Sequence, residues 1–189
     1  MIGIKETSFP GLYQSANDAS LLAQKKYYIS LCCYLGLLVV AAAISFFVPT
    51  KALGALISAF LFLATLGILI YLKTSRPDDI WYNGRAVAES TKTLSWKWMM
   101  RADPFHEENN VDGLFLSDLK KVLEQNRSLS SVLSSTVGIN ELISIDMREV
   151  RHLSFEKRKN LYKSQRIDDQ ANCYAKKASF NKKSKVYKT

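Results

Sequence analysis

Arg85, Glu89 and Lys92 stand four and three residues apart, so on a helix their charged heads share one face. Such a row makes i,i+4 ion pairs worth a few tenths of a kcal/mol each when exposed. Buried, or covered by another subunit, it organises a polar network. A second charged group is the run Lys176, Lys177, Lys182, Lys183 and Lys185, with Lys188 beyond it, interleaved with Tyr174, Phe180 and Tyr187. Ammonium groups among rings suit anionic headgroups, or nucleic acid through phosphate neutralisation and stacking. The plainer role is the solvated positive flank of a membrane protein. The tail can also pair with the acidic stretch 102–126, which holds six carboxylates against Lys120 and Lys121.

Signs of catalysis are few. His106-Glu107-Glu108 begins like a zinc-protease helix, but the second histidine four residues after the first is missing. His152 has no cysteine or carboxylate set at ligand spacing. There is no phosphate-cradling glycine loop, nucleophile elbow or kinase signature. The expectation is a protein that is not an enzyme and needs neither metal nor cofactor. Cys32, Cys33 and Cys173 form no disulfide framework. The adjacent pair beside Lys25-Lys26 is compatible with palmitoylation, though packing within a helix is the simpler use.

The elements that must position these residues divide sharply by polarity. Residues 29–48 and 52–72 are apolar, each about 20 residues long, and at about 1.5 Å per residue each spans a hydrocarbon core of roughly 30 Å. Lys51, in the Pro49-Thr50-Lys51 turn, is the only formal charge from Tyr27 to Leu72. Neither segment has the polar face of a soluble helix. Ala41-Ala42-Ala43 resembles a signal-peptidase site, but the apolar run continues past it and the preceding polar region is too long. An uncleaved hairpin is expected, with 1–28 as an N-terminal segment and 73–189 as a helical region. Lys25, Lys26, Lys73 and Arg76 flank one end of it, which places both termini on the cytoplasmic side. Tyr27, Tyr28 and Tyr71 fall at that interface. Small residues recur at spacing four: Cys32/Gly36, Ala41/Ser45, Gly54/Ser58 and Ala55/Ala59, a spacing that lets membrane helices approach closely. With no ionisable group at membrane depth, a pump or coupled transporter is not expected, and two helices enclose a pore only as several copies.

The polar remainder reads as all-α. Pro77-Asp78-Asp79 starts a helix running to Met100, with Ile80, Gly84, Val87, Thr91, Leu94 and Trp98 on one stripe and a stop at Asp103-Pro104. A loop to Asp112 precedes a short helix from Leu116 to Gln125, with Leu119, Val122 and Leu123 inward. Ser128 to Gly138 reads as a linker. A short helix covers Asn140 to His152, with Leu142, Ile145 and Val150 apolar. Ser154 then caps a long C-terminal helix to about Tyr187. That helix carries a thin apolar stripe of Leu161, Tyr162, Cys173, Tyr174 and Phe180. Net charge is +9, and residues 151–189 alone sum to that value.

The segment Trp81 to Trp96, with Arg85-Ala86, Ala88-Glu89, Lys92 and Trp96, closes with Arg101-Ala102-Asp103-Pro104-Phe105. It resembles the SLATT proteins, the SMODS- and SLOG-associating two-transmembrane effectors of bacterial conflict systems. Gln24 and Tyr28 before the first span fit the same pattern, as does the late run Tyr162, Arg166, Gln170, Tyr174 and Lys177. The resemblance implies an oligomeric effector of anti-phage defence in the bacterial inner membrane. It would perturb or permeabilise that membrane when a cytoplasmic sensor, a nucleotide cyclase or a retron-type reverse transcriptase, is triggered. An alternative from another class is a non-conducting anchor that recruits a protein or nucleic-acid complex through the basic tail. A third is a sensor binding an anionic nucleotide near Arg85, Lys92 or Arg101. Trp96, Trp98 and Phe105 are expected as packing anchors.

Overall fold

The computed structural model describes residues 3–47, 52–126, 129, 133 and 142–186, with side chains through Lys182. The Pro49-Thr50-Lys51 turn and most of the Ser128–Gly138 segment therefore lie outside the described residues. Among the described residues the architecture is helical throughout: α1 (Gly11–Phe47), α2 (Ala52–Ser75), α3 (Pro77–Met100), α4 (Val111–Gln125), α5 (Ile145–His152), α6 (Phe155–Tyr162), a π-helical stretch (Lys163–Asp168) and α7 (Asp169–Val186). A short 3-10 turn, Glu6–Ser8, precedes α1.

α1 sets the geometry. It runs 37 residues without a proline, about 55 Å, nearly twice the depth of a hydrocarbon core. Pro10 stands just ahead of it, and the Gln14 side-chain amide donates back to the carbonyls of Thr7 (2.9 Å) and Phe9 (3.0 Å). The apolar half of α1 packs on α2 and the polar half packs on α3. The segment 1–28 and the first membrane span are thus largely one helix. α2 and α3 are separated by Arg76 alone, which takes a left-handed conformation (φ 40°) ahead of Pro77.

Gly84 explains how closely α1 and α3 lie. A methyl group there would meet the Ala16 carbonyl oxygen and the Ser20 Cβ at 3.1 Å, tighter than ordinary packing. Ser20 donates its hydroxyl to the Trp81 carbonyl across the same seam (3.0 Å). One turn further along α3, Val87 and Ala88 are buried. The expected stripe Ile80, Gly84, Val87, Thr91, Leu94 and Trp98 therefore faces inward, with Ile80 and Leu94 half-buried.

The extramembrane core gathers at the far end of α3. Trp98, Met99, Phe105, Phe115, Met147 and Val150 are all fully buried. Phe115 meets Trp98 and Phe105 with ring centroids 5.9 and 6.0 Å apart, distances at which tilted and edge-on rings attract. Trp96 joins the same body through Phe9 and Tyr162.

Several boundaries differ from expectation. α4 starts at Val111 rather than Leu116, after Asn110 adopts φ 54°, because the extra turn brings Phe115 into the core. α5 starts at Ile145, where Ser144 accepts a hydrogen bond from the Met147 amide (3.2 Å). Its inward face is Met147, Val150 and Arg151, which leaves Leu142 and Ile145 exposed. Leu129 and Leu133, inside the serine-rich segment read as a linker, are buried in the core. Ser154 stands at the N-cap of α6, yet its side chain makes no capping bond. The π-helical stretch interrupts the long C-terminal helix and resets its face. Leu161 and Tyr162 pack on the core as expected, but Cys173, Tyr174 and Phe180 beyond the π stretch are exposed.

The close α1–α3 approach yields a direct test. Gly84→Leu places a branched side chain against the α1 backbone and should lower stability by about 1–3 kcal/mol. Thermal unfolding in detergent, followed by helical circular dichroism, checks this. An unshifted transition would mean that the two helices do not meet at Gly84.

Candidate functional site

Two surfaces stand out, one apolar and one charged, and α1 and α3 connect them. α1 and α2 contain the two stretches long and apolar enough to cross a membrane. Their outer faces are bare: Val39, Phe46, Phe47, Leu53, Leu56, Phe60 and Leu63 are exposed, Phe46 and Phe47 at 78%. In water such a surface would aggregate; in lipid it is the preferred exterior. The seam between the helices is built from small and hydroxyl residues. Ala41, Gly54, Ser58 and Thr65 are buried there. Ser45 donates to the Ala41 carbonyl (2.9 Å) and lies 3.1 Å from the Ser58 hydroxyl. Of the four small-residue pairs, Ala41/Ser45 and Gly54/Ser58 make this seam, whereas Cys32/Gly36 and Ala55/Ala59 face outward.

Below the spans lies an aromatic band. Trp81 packs against Tyr27 (6.2 Å), Tyr28 (5.6 Å) and Tyr82 (4.8 Å), joining the start of α3 to the middle of α1. Rings with an apolar body and a polar edge belong at a membrane–water boundary. Lys26, Tyr71, Ser75 and Pro77 line a cleft of about 410 Å³ at the same level.

Further from the spans, seven of the expected site residues come together. Arg85, Glu89, Lys92, Arg166, Gln170, Tyr174 and Lys177 line one polar cleft of about 510 Å³ between α3 and the π–α7 junction. Glu89 bridges two elements, with one oxygen 2.7 Å from Arg85 and the other 3.6 Å from Arg166. Lys92 turns instead toward the N-terminal strap, where its ammonium lies 3.3 Å from Glu6 and 5.4 Å from the ring centres of both Phe9 and Tyr13. Within this chain the paired side chains are partly exposed, Arg85 and Glu89 at 57% and 40%.

Glu6 is the residue sequence reasoning missed. It accepts the Tyr13 hydroxyl (2.9 Å), and that hydrogen bond, helped by Lys92 against the cost of burial, lowers its pKa. Burial first, and then Glu6, raise the pKa of Tyr13. The strap is pinned at further points: Ile4 donates its amide to Gln165 (2.9 Å), Ser8 donates to Asp146, and Ser144 donates to the Ser8 carbonyl (2.7 Å). None of these long-range pairs leaves a periodic trace in the sequence.

The other expected residues are placed elsewhere. Trp96 and Phe105 are core residues, as anticipated, and Pro104 is exposed after a cis Asp103-Pro104 bond. Gln24 is half-buried on α1, away from the cleft. Arg101 ends α3 at φ 53°, bridges Glu108 (3.1 Å) and donates to the Arg151 carbonyl (3.2 Å). Lys176 and Lys182 are exposed on α7, while the side chains of Lys183 and Lys185 lie outside those described. The acidic stretch finds partners other than the tail, in Arg101–Glu108 and Arg148–Asp112. His106 is exposed, 3.8 Å from both Asp103 and Glu107.

Arg151 was also unforeseen. It is 5% exposed, lies 4.9 Å from the Trp98 ring centre and donates to the carbonyls of Trp98 and Phe105 (3.0 Å to the latter). The Trp98 carbonyl at the end of α3 also accepts the Arg101 amide (3.3 Å), and the guanidinium fork joins it to the Phe105 carbonyl of the following turn. Burial, with Arg101 adding repulsion, depresses its pKa.

The fold and these surfaces define an all-helical protein with a two-helix membrane hairpin built directly onto an extramembrane helical body. A family model described as "SMODS and SLOG-associating 2TM effector domain 3" matches residues 10–159. The chain belongs to that family, and membership implies an effector of a bacterial conflict system, associated with SMODS and SLOG partners. The match begins at the threshold of α1 and ends within α6, so it covers the hairpin, the α3 stripe and the buried core. No curated protein and no solved structure matches the chain.

The Glu6 contacts predict how the strap responds to pH. A lowered carboxylate pKa stabilises the folded form above its unfolded value, and the contribution disappears as pH falls through the folded value. Hydrogen exchange of residues 3–10 should therefore speed up only below about pH 4, the ordinary carboxylate range. In Glu6→Gln the protection at neutral pH should be lower and the acid step absent. Equal protection in the variant would remove Glu6 from this role.

Proposed function

We propose that this chain is a membrane-perturbing effector of anti-phage defence, acting without catalysis of its own. Several copies would assemble through their hairpins in the bacterial inner membrane and permeabilise it when a cytoplasmic sensor is triggered. Both termini would be cytoplasmic, a topology supported by Lys25, Lys26, Lys73 and Arg76 at one end of the hairpin and only Lys51 at the other. The observation that carries the reading is the continuity of α1. One helix is lipid-facing over its apolar half and packed on α3 over the rest, so a sensor that shifts the polar body also shifts a membrane span. The charge-free spans favour disruption or a simple pore over coupled transport.

A second reading has its own observation. α7 leaves Tyr174 and Phe180 about 70% exposed beside Lys176, Lys177 and Lys182. This is a surface suited to recruiting an anionic complex to a non-conducting anchor.

Induction in a bacterial host loaded with a potential-sensitive dye separates the two. The full chain should collapse most of the potential, and a form lacking residues 29–72 should leave it at baseline. An intact potential with the full chain inserted under activating conditions would contradict the effector reading. Salt-sensitive retention of nucleic acid by the same membranes would then favour the anchor.

A further inference from the structure

A cleft of about 540 Å³ opens between the last turns of α3 and α6, adjoining the polar cleft described above at Arg166, which lines both. Five cations line it: Lys97, Arg101, Arg158, Lys159 and Arg166. No carboxylate is among its lining residues. Arg101 and Arg166 are partly balanced from outside, by Glu108 at 3.1 Å and Glu89 at 3.6 Å. Lys97, Arg158 and Lys159 have no ion-pair partner among the described residues, which leaves about three uncompensated positive charges facing one space.

The walls between these charges are aromatic. Trp96 and Tyr162 meet edge-to-face at 5.5 Å, and Phe155, at the N-terminus of α6, holds its ring 65% exposed. A large ring so exposed gains little from folding alone. On two of the lining residues, Trp96 Nε1 and Arg158 Nε are buried with no hydrogen-bond partner among the described residues. Arg158 is held in place by its other arm, which donates to the Leu153 carbonyl at 2.6 Å.

We infer that this cleft binds a nucleotide carrying at least two phosphates, its base against Phe155 and its phosphates among Lys97, Arg158 and Lys159. The volume lies in the range of small-molecule sites. Guanidinium and ammonium groups together match a multivalent phosphate chain, and a base stacks on an aromatic ring without regard to its sequence. A lipid headgroup is excluded by position. Trp96 lies nineteen residues along α3 from Pro77, roughly 28 Å beyond the membrane boundary. The site is independent of what the hairpin does in lipid, because binding is read on purified protein and permeabilisation on cells.

The test uses the full chain in lipid nanodiscs, with intrinsic tryptophan fluorescence and equilibrium dialysis against ATP, GTP, CTP and UTP. At least one should bind saturably, with adenosine and tripolyphosphate each at least tenfold weaker than ATP if ATP is bound, or the matching nucleoside otherwise. The double variant Lys97→Gln/Lys159→Gln, at two exposed positions, should weaken binding at least tenfold while leaving the unfolding temperature unchanged. Phe155→Ala should weaken the nucleotide but not tripolyphosphate. No binding at millimolar concentration overturns the assignment. So does tripolyphosphate as tight as the nucleotide, indifference to the double variant, or affinity that grows with the length of an RNA oligomer.

Discussion

The unbroken course of α1 is the constraint on which the rest of the structure depends. A helix of 37 residues cannot end at the membrane surface when only its second half is apolar. Its first half must find a partner in water, and α3 supplies one. Because α3 follows α2 after a single left-handed residue, the chain returns alongside α1 from the membrane into the polar body. Gly84 and Ser20 bring the two close, and the Trp81 cluster marks the level at which lipid gives way to water. The hairpin and the helical body are consequently difficult to move separately.

The body at the far end is held by a different balance. Its apolar core is modest, centred on Trp98, Phe105, Phe115 and Met147. Polar groups fix its ends: Arg151 satisfies two carbonyls beneath Trp98, and Glu6 draws the N-terminal strap onto Tyr13 and Lys92. Removing Arg151 would leave the buried Phe105 carbonyl without its guanidinium donor, a larger cost than losing an exposed ion pair. The exposed pairs along α3, such as Arg85–Glu89, orient the cleft more than they stabilise the fold.

Much of this was legible from residue order, for identifiable reasons. Long apolar runs, the Pro77-Asp78-Asp79 start and the α3 stripe are local or periodic, so the spans and α3 could be read directly. The family pattern also named residues that converge in space: Arg85, Glu89 and Lys92 meet Arg166, Gln170 and Tyr174 in one cleft. What escaped was non-periodic. Phe115 sits one residue before the helix start that the apolar spacing suggested, and the exposure of Leu142 and Ile145 depends on a start fixed by Ser144. The π stretch, which separates the packed Tyr162 from the exposed Tyr174, has no signature in helical periodicity. Arg151 reads as one more basic residue until its burial is seen.

Rigidity of α1 across the membrane boundary is the central claim, and a distance measurement tests it most directly. Spin labels at Asp18 and Val39, both exposed, would be introduced after Cys32, Cys33 and Cys173 are replaced by serine. An unbroken helix sets their backbone separation at about 31 Å. In lipid nanodiscs, pulsed electron–electron resonance should give a single narrow distribution near that value. A broad distribution, or one displaced to clearly shorter distances, would show that α1 bends or breaks at the boundary and does not couple the two halves.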